Sequence, residues 1–149
     1  LGPDGTIRIY AGTSGSVQLL ADVVGWFGPT GSSGYHPLVP DRLLDSRYGT
    51  GTDLAPFGPG EERLVFAEIP ESATALIMNS TVAGPTASGH NTIWSWATSR
   101  PQTSNLNWRA GDARANLVTT PVALSAFSIW NYAGQADFIA DAQGYFVSG

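Results

Sequence analysis

Residues 139–146 read Ile-Ala-Asp-Ala-Gln-Gly-Tyr-Phe, and residues 20–27 read Leu-Ala-Asp-Val-Val-Gly-Trp-Phe. Both follow one order: an apolar residue, Ala, Asp, two variable positions, Gly, an aromatic ring and Phe. Going backwards, Gly15 falls on Gly134, and one inserted residue then sets Ile7-Arg8-Ile9-Tyr10 on Phe127-Ser128-Ile129-Trp130. Asp22 and Asp141 stand 119 positions apart, a period that belongs to tandem domains rather than to the coils of a solenoid. The repeat divides the chain into three parts. Residues 1–29 are expected to be the terminal β-hairpin of a preceding repeat, 30–35 a Gly/Ser linker, and 36–149 a complete repeat.

Inside that repeat, short runs rich in Val, Ile, Thr and aromatic residues alternate with turn formers. The expected strands are 64–66, 73–82, 92–98, 104–108, 115–121, 127–132 and 137–147. Gly58-Pro59-Gly60, Gly84-Pro85, Gly89-His90-Asn91 and Ala110-Gly111-Asp112 separate them. Only Pro40–Arg47 reads as a short helical turn. The spacing predicts an all-β domain, a β-sandwich or jelly-roll. With 149 residues, 42% apolar and 13% charged, 18 Gly and 10 Pro, the chain is too apolar for disorder and too punctuated for a helical bundle.

The formal charge is −5, lysine is absent, and seven arginines are scattered from Arg8 to Arg114, so no basic stripe tracks a phosphate backbone. Nucleic acid is not an expected partner. Lacking lysine and cysteine, the chain has no Schiff-base or P-loop lysine, no catalytic thiolate and no Cys-ligated zinc. No apolar run reaches the roughly 18 to 20 residues of a membrane span. Leu1-Gly2-Pro3-Asp4-Gly5 has neither the basic start nor the apolar run of a signal peptide, so an export signal is expected upstream.

Four segments occur in order: Pro37-Leu38-Val39-Pro40-Asp41-Arg42-Leu43-Leu44-Asp45-Ser46-Arg47, Arg100-Pro101-Gln102-Thr103-Ser104-Asn105-Leu106-Asn107-Trp108, Ala115-Asn116-Leu117-Val118, and Ala140-Asp141-Ala142-Gln143-Gly144-Tyr145-Phe146. Together they resemble the tandem repeats of large secreted and surface proteins of actinomycetes. The resemblance covers 36–149, with 1–29 resembling the tail of such a repeat. It implies an extracellular or cell-surface location and a modular, non-catalytic role beside other domains.

Arg42, Asp45 and Arg47 flank Leu43 and Leu44, so turning the leucines inward draws these charges toward low dielectric, where they need partners. Asp141, on a strand apolar on both sides, is the expected partner of Arg42 or Arg47, which makes these four a structural charge lock. Trp94 and Trp96, two apart on an expected strand, project from one face. They either stack on a sugar chain or fill the core. Asn105 and Asn107 would add amide contacts to sugar hydroxyls, or tie loops to backbone. A glycan or cell-wall polymer is therefore the alternative partner. His36 and His90 lie in loops, and no HExxH, calcium-loop or GxSxG pattern accompanies them. No catalytic residue, metal or cofactor is expected.

An isolated two-stranded ribbon is marginal in water, so residues 1–29 need a sheet. Ile7, Ile9, Leu20, Asp22, Trp26 and Phe27 are the residues expected to dock, either in cis or on another copy or neighbouring repeat by strand addition. Repeated head to tail, that addition builds a filament and suits adhesion.

Overall fold

The computed structural model describes residues 6–10, 12, 15–19, 21, 23, 25–26, 28 and 33–148. Eight strands are present among them: β1 (Ser33–Asp45), β2 (Glu62–Phe66), β3 (Ala73–Ala83), β4 (Gly89–Trp94), β5 (Leu106–Trp108), β6 (Ala113–Pro121), β7 (Ala126–Asn131) and β8 (Asp137–Ser148). They build two antiparallel four-stranded sheets, ordered β1-β8-β3-β6 and β2-β7-β4-β5, and no described residue is helical. The fold is an all-β sandwich.

Alternation decides which side of each strand turns inward. On β3 the buried residues are Leu76, Met78, Ser80 and Val82, while Ile77, Asn79 and Thr81 between them stay partly exposed. On β7 the inward residues are Phe127 and Ile129, and on β8 they are Phe138, Ala140 and Ala142. Between the sheets the Phe138 ring meets Phe57 edge-on at 5.0 Å and Trp108 at 5.5 Å.

The structure changes three expectations. Residues 40–45 continue an edge strand rather than a helical turn, and the chain turns only at Ser46–Gly49. Pro37 and Pro40 lack an N–H, which the free edge tolerates, and the register with β8 breaks between Pro37 and Asp41. The sandwich also starts earlier than residue 36, because Ser33, Gly34 and Tyr35 already pair with Ser148, Val147 and Phe146. Most consequentially, residues 127–147, which the repeat sets against the expected N-terminal hairpin and which by that match should be a hairpin too, do not form one. β7 pairs with β2 and β4 in one sheet, while β8 pairs with β1 and β3 in the other. The connection crosses the sandwich, so the two strands form an arch.

The arch turn has its own chemistry. Fully buried Asn131 donates its amide N–H groups to the carbonyls of Phe57, Gly58 and Gly134. Gly134 has φ of 65°, and a Cβ there would press into Thr86 and Ala87. Only glycine suits both demands.

Candidate functional site

The charges gather where β1 lies against β8. Arg42 faces Asp141 in the ladder, donating Nε to Oδ1 at 2.8 Å and Nη2 to Oδ2 at 3.3 Å. Its third nitrogen, Nη1, reaches Asp45 Oδ2 at 2.9 Å. A register break between Arg42 and Leu44 turns Leu43 and Leu44 both into the core and carries Asp45 into full burial. The turn then folds Arg47 back, so that its Nε, Nη2 and backbone N–H donate to Asp45 at 2.9, 2.8 and 3.2 Å. Ser46 closes the end, giving its hydroxyl proton to Asp137 at 2.6 Å and accepting the Phe138 N–H at 3.1 Å.

All four residues of the expected lock are therefore brought together, with Arg42 as the bridge. Asp141 takes Arg42, and Arg47 goes to Asp45 instead. The Arg47 side chain holds the Asp45 carboxyl below the usual carboxylate range against the opposing effect of burial, with Arg42 assisting. Arg42 is held above its ordinary value chiefly by the hydrogen bond to Asp141. The outer pair is partly wet, with side-chain exposures of 45% for Arg42 and 27% for Asp141, so solvent screens it. Asp141→Asn is expected to lower stability by only about 1 kcal/mol in urea titration. A loss several times larger would contradict a screened pair.

Trp94 and Trp96 do not share a face. β4 ends at Trp94, so the two-residue period that would align the indoles stops there. Trp94 is buried on the outer side of its sheet, its Nε1 donating to the Thr98 carbonyl. Trp96 lies beyond the strand, 42% exposed, with Nε1 on the Ala123 carbonyl at 2.7 Å. The covering element is loop 95–105. The Thr92 hydroxyl donates to the Thr103 carbonyl, the Ile93 N–H to Asn105 Oδ1, and the Asn105 N–H to the Asn91 carbonyl. A two-indole sugar platform is absent here because Trp94 serves as the floor of this loop.

Asn105 also accepts, through its carbonyl, the Asn116 amide at 2.7 Å. That bond ties the edge of one sheet to the edge of the other. Between those edges lies a cleft of about 450 Å³ lined by Asn105, Leu106, Asn107, Arg114, Ala115 and Asn116. Asn107, whose amide donates to the Ser104 hydroxyl, is exposed at its rim. An amide-rich open cleft can exchange hydrogen bonds with hydroxyl groups.

Known proteins offer no match: no family model, no curated protein and no solved structure. The chain's own geometry carries the functional reading.

Sequence reasoning missed a second surface group. His90 stacks on Tyr132 at 4.7 Å, Trp130 sets its ring edgewise to both, and the Arg100 guanidinium lies 3.7 Å over Trp130. The available signal was Trp130 and Tyr132 two apart near the end of a strand. Burial, with Arg100 assisting, pushes the His90 imidazole below its ordinary pKa. His36 stacks on Tyr145 at 5.2 Å. Both histidines serve here as packed rings. Among the described residues no three carboxylate or imidazole side chains cluster as a metal would need, and no helix is long and apolar enough to cross a membrane.

Of the expected docking residues, Leu20, Asp22 and Phe27 lie outside the described residues. Ile7, Ile9 and Trp26 are described and exposed, and no described residue of 6–28 belongs to a strand.

Proposed function

We propose that this chain is a non-catalytic structural and assembly module of an extracellular tandem-repeat protein. One observation carries the reading: the segment before a complete sandwich repeats the sequence of that sandwich's last two strands, yet leaves its large apolar side chains in the open. Such surface is normally covered by a partner. The charge clamp fits a structural role, since Asp45 is enclosed by its two arginines and buried. Light scattering over a concentration series tests the assembly. The full chain is expected to associate, and a chain lacking residues 1–29 to remain monomeric. Equal masses for both would overturn assembly through this segment.

A second reading, a carbohydrate- or cell-wall-binding module, is favoured by the amide-lined cleft and by half-exposed Trp96. A glycan array decides it, with Trp96→Ala and Asn107→Ala as the informative variants. No saturable binding is expected. Saturable binding lost in those variants would replace the structural reading.

A further inference from the structure

The arch described above gives residues 6–28 a specific destination. Carrying the repeat onto the structure sets Ile7 and Ile9 at the places of Phe127 and Ile129. It sets Val17, Leu19, Ala21 and Val23 at the places of Ala136, Phe138, Ala140 and Ala142. Those six places are all buried members of the hydrophobic core. All six residues that repeat them are apolar and all six are exposed, the five larger ones from 58% at Ile9 and Val17 to 91% at Val23. The segment carries the pattern of a sandwich's inner lining, yet its described apolar residues stand in the open.

The glycines agree. Gly144 is required because a Cβ there would collide with the Tyr35 ring of β1, and Gly134 because of the arch turn. Their counterparts Gly25 and Gly15 are kept, although a Cβ at either would meet nothing within 4 Å here. At neither position does this structure itself supply the close approach that would exclude a side chain. The size changes run in both directions. Ile7 and Leu19 are smaller than the two Phe residues they repeat, while Val17 and Val23 are larger than the two Ala residues, and cores accept such exchanges when total volume and pattern hold.

We propose that residues 6–28 are the closing arch of a second scaffold of the β1–β6 type, seated there as β7 and β8 are seated here. The proposal rests on the tandem-repeat reading and makes the partner a scaffold of this type whose seat is not filled by its own β7 and β8, as it is here. It replaces addition at a free edge, because β7 lies between β2 and β4, and β8 between β1 and β3. Asp22, at the place of Asp141, would meet the acceptor's counterpart of Arg42. One departure weakens the turn: Ala11 and Gly12 stand where Asn131 would be, so the triple amide staple is missing.

The test uses the full chain. Ile129→Asp with Phe138→Asp disables the resident arch and empties the scaffold. This variant is expected to keep a β-sheet circular dichroism signal and a cooperative melt, at a lower midpoint. Adding Ile7→Asp and Leu19→Asp is expected to abolish both. Because Asp137 pairs with Ala83 on β3 and the chain has no cysteine, Gln18→Cys with Ala83→Cys reports the seat directly. In the disabled background, oxidation should link these positions within one chain or between two copies. If the disabled chain unfolds as completely as the quadruple variant and forms no such link, the proposal is overturned. If both stay folded alike, it is overturned too. Should the seat fail while the full chain still associates through residues 1–29, the assembly reading survives without it.

Discussion

Phe138→Ala is expected to lower the unfolding free energy by about 3 to 5 kcal/mol, the usual range for emptying a well-packed aromatic site. The ring is fully buried on β8, and its neighbours come from separate places: Phe57 from the loop before β2 and Trp108 from β5 in the opposite sheet. No single element can move in to fill the space. Trp108 is held besides by its Nε1 bond to the Ala87 carbonyl. The lost contacts therefore remain lost as a cavity between the sheets. Urea denaturation measures the effect, and a loss below about 1 kcal/mol would show that the sheets close over the gap.

Asp45→Ala is expected to cost about 2 to 4 kcal/mol, less than a fully enclosed pair because both arginines can turn their charge toward water. Their side chains are 45% and 38% exposed, while that of Asp45 is fully buried. The same residue sets part of the acid limit. Its folded-state pKa lies below the unfolded value, so the stability it contributes is complete above the ordinary carboxylate range. That stability is lost as pH falls through this range toward the folded value. Glu61 adds to the same limb: burial pulls its carboxyl up, but the bonds from Arg63 and the Gly58 N–H outweigh it and hold it low. Melting temperature followed downward from about pH 5 should therefore fall less steeply in Asp45→Ala than in the parent. An unchanged slope would remove Asp45 from the acid transition.

Much of the sandwich was legible because most of its strands carry their own signals. β3, β6, β7 and β8 fall within a residue or two of the runs read from Val, Ile, Thr and aromatic content. β1 was not legible. Two prolines and the charges of Asp41 and Arg42 look unlike a strand, and only a free edge makes them acceptable. Which sheet a strand joins leaves no mark on a period of two, so an arch and a hairpin read alike. Trp94 and Trp96 misled for a related reason, since their shared face required a strand two residues longer than the one that forms. The charge cluster could be anticipated from arginines embedded among leucines, but its division of partners depended on a register break. The aromatic group around His90 joins β4, the loop that follows it and the end of β7, a meeting that no local pattern encodes.

The pairing of Ser33 with Ser148 places the entry and exit of the sandwich side by side on antiparallel strands. A pull transmitted through domains attached at these two points thus opens β1 from β8 one rung at a time, like a zipper, instead of shearing every rung together. The early rungs are weak, since Pro37 has no N–H to give and the register breaks before Asp41. Peeling then arrives at Arg42, which grips Asp141 on the opposite strand and Asp45 on its own. The charge clamp stands where a stop would be placed, letting the first stretch of β1 pay out as slack while the core behind it holds.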